Sequence, residues 1–242
     1  MNYKDFCNNI INKVAGYIGG VEATTQASKE AVKQTAELFK FFIDDMYYCG
    51  NKEQHLFVVK FMECPGAHHH HHAHPTGLLE HSITLACRLA LYSSLTKDVV
   101  DRNNYIDPFT AAQIGLYHDF CKVEQYTLTY DQNGHYAKDE HGKYLIATDS
   151  KKYERHALRS IEIVKKLCKV LTWSCIYKQA EACILQHMGS YQNPEDQIPQ
   201  ELKDKYKIAI KLTQEADMSA CEELMKKIEG NNYLEDLQFK EA

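Results

Sequence analysis

The residues best suited to chemistry are histidines and aspartates that recur near the ends, or on one face, of helices predicted from the sequence. The chain has 13 histidines among 242 residues. A cation site needs imidazole and carboxylate groups that converge from several rigid elements. Six residues meet this description by position: His81, the adjacent His118 and Asp119, His156, His187 and Asp217. We therefore predict a metal site.

Each of these residues also has a simpler interpretation. His118 could be a histidine at a helix C-terminus, where the helix dipole favours it. His156 and His187 could be ordinary core or surface histidines. Asp217 lies in KLTQEADMSA, a small and apolar helical context in which an unpaired carboxylate is costly to bury. A metal would remove that cost, and so would a lysine or a water-filled cleft.

The elements that must position these residues are mainly helical, because apolar residues recur at spacings of three and four. Residues 56–63 could form either a strand or a buried helical turn. Helices are predicted over 3–18, from Thr25 or Ser28 to Gly50, from Leu78 through Ala90, from Pro108 to Asp119, and over 152–170, 174–188 and 199–228.

One segment, at about residues 125–149, has a different character. Tyr126, Leu128 and Tyr130 alternate with threonines, and Asn133-Gly134 is a strong hairpin turn signal. His141-Gly142 offers a second turn. The predicted fold class is therefore mainly α, a helical bundle with a small β-hairpin insertion. This insertion is also where we expect contacts with a base or a sugar.

Composition restricts the class of protein. The nine cysteines form no CxxC pair, which favours reduced thiols in a cytoplasm. No apolar run approaches the roughly 20 residues of a membrane helix, and the N-terminus does not resemble a signal peptide. We expect a cytoplasmic protein without membrane contact. The net charge of −5 argues against non-specific coating of nucleic acid but allows a phosphorylated small molecule or a short strand as substrate.

The ordered set of motifs resembles the HD-domain superfamily of metal-dependent phosphohydrolases over roughly residues 60–225. The motifs are HPTGLLEHSITLA, LYHDFCK, ERHALRS, LQHMG and the distant helical Asp217. The stretch HHAHPTGLLEHS is similar to the subgroup with 3′→5′ exoribonucleases and relaxase-associated domains, although Thr76-Gly77 replaces a frequent pair of glycines. The resemblance implies a helical extension (1–55) packed on the core, an HD domain (56–230) and a tail (231–242).

The resemblance also implies roles for the six residues. One metal would be bound by His81, His118, Asp119 and Asp217, and Asp119 would bridge to a second metal held by His156 and His187. Ligands without sulfur suit Mn, Fe, Co, Ni, Mg or Zn. The implied catalytic residues are Asp119 and Lys122, and Lys122 would neutralise a phosphate oxygen or the leaving group.

The expected activity is hydrolysis of a phosphomonoester or phosphodiester in a nucleotide or short nucleic acid, by a metal-activated hydroxide. Two alternatives remain. Some HD-domain proteins with six ligands hold two irons and oxidise their substrates with O₂, and others could bind nucleotides without turnover. The ligand set alone does not choose between these three functions.

Substrate contacts are predicted at Lys122, His72, His74 and Arg159. The run His68–His72 is either a loop at the edge of the site, whose later histidines face a substrate phosphate, or a solvated polar loop. The basic stripe around His156 is either a solvated helix face or a surface that steers an anionic substrate. It comprises Lys151, Lys152, Arg155, Arg159 and Lys166.

Overall fold

The computed structural model describes residues 3–48, 50–149, 155–168, 176–230 and 233. It is mainly helical with one small antiparallel sheet, which confirms the predicted mainly-α class. The elements are α1 (Tyr3–Tyr17), α2 (Gln26–Tyr48), α3 (Lys52–Glu63), α4 (Gly77–Thr96), α5 (Pro108–Tyr117), α6 (Lys122–Gln125), β1 (Tyr126–Leu128), β2 (Ile146–Thr148), α7 (His156–Cys168), α8 (Lys178–Leu185), α9 (Gln200–Lys205), α10 (Lys207–Ser219) and α11 (Leu224–Glu229).

Helix α4 runs through the centre of the molecule. Every residue from Gly77 to Leu91 is buried, because α4 is surrounded by α1, α2, α3, α5, α10 and α11. Most of its residues are apolar, as expected for a helix that is buried on all sides. The polar residues that do occur on α4, including Glu80, His81 and Arg88, therefore need partners inside the protein.

The N-terminal helices α1 and α2 pack on α4 and share its apolar core. Ile10 of α1 and Phe39 and Phe42 of α2 are fully buried in the same cluster as Ile83 of α4. The segment 1–55 is thus packed on the rest of the chain. Whether this segment is a separate unit from the residues that follow it stays a prediction.

The β insertion forms between α6 and α7. Strands β1 and β2 pair antiparallel, with Leu128 opposite Ile146. Between them, further pairing joins Tyr130 to Tyr136 and Lys138 to Tyr144. Both predicted turns are present: Gly134 and Gly142 have φ of 79° and 77°, which glycine adopts without strain.

Some predicted helix bounds differ from the structure. Segment 56–63, for which a strand and a helical turn were both open, is helical and belongs to α3. The predicted start at 152 lies outside the described residues, and helix α7 begins at His156, directly after the left-handed backbone of Arg155 (φ 62°). Helix α8 is shorter than 174–188, since Tyr177 is extended and the helix ends at Leu185. Ser174 and Ser150 lie outside the described residues.

The single long helix predicted over 199–228 is also wrong, because the segment is divided into α9, α10 and α11. At the first break, the side-chain oxygen of Asn104 accepts hydrogen bonds from the backbone N–H groups of Ile208 and Ala209. This side chain caps the start of α10 from outside the segment, which no local sequence pattern reveals.

Within the described ranges, no helix is both long and apolar enough to cross a membrane.

Candidate metal centre

All six predicted ligands lie close together at one end of the central helix. They come from five separate places in the fold: His81 from α4, His118 and Asp119 from the end of α5, His156 from the first residue of α7, His187 from the turn after α8, and Asp217 from the last turn of α10. Ligands from several helices give the rigidity that a metal site needs.

One half of the cluster contains His81, His118, Asp119 and Asp217. The Nε2 atom of His81 lies 3.0 Å from Oδ1 of Asp217 and 3.7 Å from Oδ2 of Asp119. The Nε2 atom of His118 lies 3.2 Å from Oδ2 of Asp119 and 3.7 Å from Oδ1 of Asp217. Two imidazole nitrogens and two carboxylate oxygens therefore face one small volume.

The other half is arranged around the second oxygen of the same carboxylate. Oδ1 of Asp119 lies 2.6 Å from Nε2 of His156 and 3.8 Å from Nε2 of His187. Asp119 thus directs each of its oxygens towards a different pair of imidazoles. Each oxygen of this carboxylate could therefore hold a different cation.

The outward nitrogens of these histidines also fit a metal site. The Nδ1 atoms of His81, His118 and His187 are 3.2, 2.9 and 2.6 Å from the backbone carbonyls of Ala220, Gly115 and Ile184. An Nδ1–H that donates to a carbonyl leaves Nε2 with a free lone pair pointing inward, as in known metal-ligating histidines. Among the described residues, Nε2 of His118 is buried near the Asp119 carboxylate without a well-directed hydrogen bond, so a cation there would satisfy it.

Lys122 lies at the edge of this cluster, as the resemblance implied. Its Nζ is 2.6 Å from Oδ2 of Asp119, at the start of the short helix α6. Burial lowers the pKa of Lys122, but the carboxylate of Asp119 outweighs burial and raises it above the ordinary lysine value. The ammonium group therefore remains charged beside the candidate ligands.

The charged groups of the cluster shift one another's pKa values. Burial raises the pKa of Asp119, yet His118 and Lys122 outweigh burial and hold that pKa well below the usual carboxyl range. Burial lowers the pKa of His156, but Cys121 and Asp119 raise it to about 10. Burial is the main cause that lowers the pKa of His187 to about 4. The His187 imidazole is thus neutral, whereas a metal held by His156 would have to displace a proton from it.

Close helix packing sets the distance between His81 and His118. Gly115 lies one turn before His118, and a Cβ there would be only 2.5 Å from Cβ of Ala86 on α4. Helices α4 and α5 approach this closely because position 115 has no side chain. Their approach places the two imidazole rings 5.1 Å apart.

Two further hydrogen bonds fix the parts of the centre that lie outside long helices. The backbone N–H of Cys121 donates to Oγ of Ser160 on α7 at 3.1 Å, which ties the His118-Asp119 turn to the helix that carries His156. The side-chain amide of Gln214 on α10 donates to the carbonyl of Gln186 at 2.7 Å and so holds the turn that carries His187.

Cys121 is a residue at this centre that the sequence prediction missed. Its buried Sγ lies 3.2 Å from Nδ1 of His156, where the other three histidines have a backbone carbonyl. Asp119, Cys121 and His156 also present ligand atoms within 4.8 Å of one another. The position of Cys121, two residues after Asp119, was the only signal in the sequence.

The residues predicted to contact substrate do not lie together in one place, unlike the six predicted ligands. His72 is fully buried, with Nε2 3.6 Å from Oε1 of Glu80, so its placement does not support contact with a substrate. His74 faces Glu80, Glu223 and Tyr233 at the wall of a cleft. Arg159 binds Glu124 through two N–H groups, at 2.9 and 2.8 Å. Its role in binding substrate stays a prediction.

The basic stripe is ion-paired where the structure describes it. Arg155 pairs with Glu162, and Lys166 contacts Glu53. Lys151 and Lys152 lie outside the described residues. The described part thus matches the interpretation of a solvated helix face better than that of a steering surface.

No protein-family model, no curated protein and no solved structure matches this chain.

Proposed function

We propose that this protein is a metal-dependent phosphohydrolase of the HD type with a dinuclear site. The observation that carries the proposal is the position of Asp119 between two pairs of imidazoles. His81, His118 and Asp217 complete one half, and His156 and His187 complete the other. The HD resemblance of the motifs agrees with the same six residues.

The residues define what each part of the centre would do. Two divalent cations held there would activate water and polarise the phosphoryl group. Asp119 would hold both cations, and Lys122 would place its ammonium group against a phosphate oxygen or the leaving group. The side chains of His156, Lys122 and Asp217 are partly exposed, so solvent and a phosphate group can reach the centre.

The proposed activity includes both phosphomonoesters and phosphodiesters of a nucleotide or short nucleic acid, and we propose a cytoplasmic location. The described cysteine side chains are free thiols, which fits a reducing compartment. These are Cys7, Cys64, Cys87, Cys121, Cys183 and Cys221.

The double variant His118→Ala/Asp119→Ala tests the proposal. It should lose both bound metal and phosphate release from nucleotides and short strands, tested with Mn, Fe, Co, Ni, Mg and Zn. A matched control is His135→Ala/Asp131→Ala, which removes an exposed His–Asp pair 3.7 Å apart in the β insertion and should retain both properties. Circular dichroism establishes that both variants are folded. Phosphate release that survives the first double variant would refute the assignment.

An O₂-dependent oxidase is the second candidate, because a carboxylate between two pairs of imidazoles would hold two irons equally well. Metal analysis of protein purified without added metal, combined with O₂ consumption, separates the two functions. Iron at two equivalents with O₂ uptake would favour the oxidase. Bound nucleotide without turnover under any metal would instead favour a non-catalytic binding module.

A further inference from the structure

The run of five consecutive histidines, His68–His72, has no part in the proposed function. It lies in the connection between α3 and α4, and we call residues 66–74 the histidine loop. Four of these imidazoles, those of His68–His71, line a cleft of about 950 Å³ that the β insertion also lines. None of the six predicted ligands is among the described residues that line this cleft. The histidine loop is therefore a second cluster of metal-ligating side chains, separate from the candidate centre.

The backbone of the histidine loop is fixed at both ends. The N–H of Gly66 donates to the carbonyl of His72 at 2.8 Å, and the N–H of Leu78 donates to the carbonyl of Cys64 at 2.9 Å. The imidazoles between these contacts belong to a short, closed loop. Because the ends of the loop are already ordered, less chain entropy is lost when several of its side chains bind one ion.

The first imidazole of the run is held by a backbone carbonyl, as are three of the predicted ligands of the centre. Nε2 of His68 lies 2.9 Å from the carbonyl oxygen of Ile146 in β2. An Nε2–H that donates to this carbonyl leaves a lone pair on Nδ1, and either ring nitrogen of histidine can ligate a metal. The ring of His69 lies beside it, with the two ring centres 3.5 Å apart. Two imidazoles are thus neighbours at the edge of the cleft.

The next imidazoles of the run are accessible to an ion in solution. His69, His70 and His71 are exposed, and within the described residues none of them forms an ion pair with a carboxylate. Short histidine-rich tracts commonly bind metals. Imidazole nitrogens suit Zn, Co, Ni and Cu, whereas Mg prefers oxygen ligands. The histidine loop is therefore suited to a divalent transition metal ion.

The other charges of the cleft nearly balance. Lys138 and Lys143 of the β insertion and Lys226 of α11 line it, together with the carboxylates of Asp139 and Glu223. Lys226 pairs with Glu223 at 3.0 Å. An ion bound to exposed imidazoles also keeps contact with water and salt, which screen it from the remaining ammonium groups. Inorganic phosphate bound by these lysines is the alternative occupant of the cleft.

The histidine loop also approaches the candidate centre. The side chains of His118 and His187 in the centre are 0% and 1% exposed, and a buried metal site needs an entry path. The ring centre of His71, which lines the cleft, is 6.2 Å from that of His81. The ring centre of His72 is 5.5 Å from that of His81. An ion held by the loop is therefore close to the first predicted ligand, which raises its effective concentration there.

We propose that the histidine loop captures a divalent transition metal ion from solution and passes it to the candidate metal centre. The inference rests on the proposed function for the existence of that centre. Imidazoles of the loop first replace water on the ion, and the ligands of the centre then replace these imidazoles, with no change in oxidation state. Because water completes the coordination on the loop, the ion is held there less tightly than by the buried ligands.

Titration of the full chain with Zn²⁺ against a chromophoric chelator tests the capture step. His69→Asn/His70→Asn should bind one equivalent fewer than the wild type. The matched control is His135→Asn/His141→Asn, which removes two exposed histidines of the β insertion outside the cleft and should bind as the wild type does. The inference is overturned if all three chains bind the same number of equivalents, or if Mg²⁺ at equal concentration displaces Zn²⁺ from the loop. Binding of inorganic phosphate that requires His69 and His70, without the extra Zn²⁺, would also overturn it.

Stopped-flow absorption with Co²⁺ at less than one equivalent tests the transfer step. The signal of the centre is identified by its loss in His118→Ala/Asp119→Ala. His69→Asn/His70→Asn should slow the appearance of this signal about tenfold. The equilibrium affinity of the centre for Co²⁺ and the free energy of unfolding should stay unchanged, whereas a purely structural role of the loop would alter both. Equal rates in the wild type and the loop variant would overturn the inference.

The inference and the proposed function can fail separately. If phosphate release depends on His118 and Asp119, but the loop variant takes up Co²⁺ as fast as the wild type, the inference fails and the proposed function stands. If the loop accelerates uptake of Co²⁺ into the centre, but no metal supports hydrolysis of a phosphate ester, the proposed function fails and the inference stands.

Discussion

Every side chain of the candidate metal centre comes from a helix or a helix end, whereas the cleft between residues 68–74 and 138–147 is lined mainly by a loop and by the β insertion. The imidazoles of the centre are held by partners at Nδ1, and Asp119 is buried. In the cleft, His69, His70 and Lys143 are exposed. The difference indicates that the centre is built for exact geometry, which rigid elements provide, and that the cleft is built to accommodate a ligand.

The largest difference between the two regions should follow from removing one carboxylate in each. Asp119→Ala leaves Lys122 and the surrounding imidazoles without their counter-charge in a buried place. It should lower the free energy of unfolding of the metal-free protein by about 3–5 kcal/mol and abolish metal binding. Asp139→Ala in the cleft removes hydrogen bonds within an exposed turn, where water can replace them, so its cost should be much smaller. Urea unfolding measures both, and equal costs would remove the distinction between the two regions.

Gly115→Ala tests whether close helix packing positions the centre. The new Cβ would lie 2.5 Å from Cβ of Ala86 and 2.7 Å from the carbonyl of Ser82. Overpacking of this kind typically costs about 1–3 kcal/mol, and the displaced His118 should weaken metal affinity. Gly16→Ala in α1 is the control, because nothing lies within 4 Å of its Cβ. It should leave stability unchanged or raise it by up to about 1 kcal/mol.

Cys121→Ala should weaken the half of the centre that contains His156 and leave the other half intact. Loss of a hydrogen-bond partner of a ligating histidine typically reduces metal affinity by about 10–100-fold. A metal titration should therefore change from two similar affinities to one strong and one weak. Cys121→Ser should restore part of the affinity, since a hydroxyl can accept from Nδ1. The control is Cys87→Ala, which removes a buried thiol from a different element, helix α4. An equal loss of metal affinity in this variant would contradict a specific role for Cys121.

Proton release provides a test that needs no mutation. The raised pKa of His156, about 10, stabilises the metal-free fold fully below pH 6.5, and this contribution is lost as the pH rises towards 10. A metal must displace the same proton. Metal affinity should therefore increase by about tenfold per pH unit for each displaced proton between pH 7 and 9. Calorimetry in two buffers of different ionisation enthalpy measures the released proton, and an affinity independent of pH would contradict the assigned state of His156.

The helices, and the six residues that meet at the candidate centre, could be predicted from the sequence because the signals are local. Apolar spacing marks α2, α4 and α5, and the order of histidines and aspartates indicates the candidate ligands, whose metal binding stays a prediction. What the sequence did not reveal depends on contacts between distant segments. The break before α10 is stabilised by the side chain of Asn104, and the role of Cys121 depends on where α7 begins.

The histidine run is another place where the sequence did not reveal which side chains lie in the core and which are exposed. The sequence treated His72 and His74 as the members nearest to a substrate, since they precede the motif around His81. His72 instead has a left-handed backbone (φ 60°), and its ring lies in the core beside Glu80, whereas His74 lines the cleft. The exposed His69 and His70 line the cleft as well. The sequence pattern did not reveal which members of the run face inward.

The smallest expected effect concerns the point where the two regions meet, at the start of α4. Thr76 has a left-handed backbone (φ 66°), and its buried hydroxyl has no hydrogen-bond partner in the described structure. Such a conformation costs a non-glycine residue about 1–3 kcal/mol, whereas glycine adopts it freely but loses about 0.5–1 kcal/mol of chain entropy. Thr76→Gly should therefore raise the free energy of unfolding by about 0.5–1 kcal/mol with metal affinity unchanged.

The neighbouring Gly77→Ala should have the opposite effect, since its Cβ would lie 2.0 Å from the carbonyl oxygen of His72 and force the histidine loop away from α4. Urea unfolding and a metal titration on both variants make the comparison. If Thr76→Gly destabilises the protein, the threonine contributes a contact that outweighs its strain. If Gly77→Ala lowers the free energy of unfolding and leaves metal affinity unchanged, then the loop can move without the helices that carry the candidate ligands, and the cleft and the centre are separable parts of the molecule.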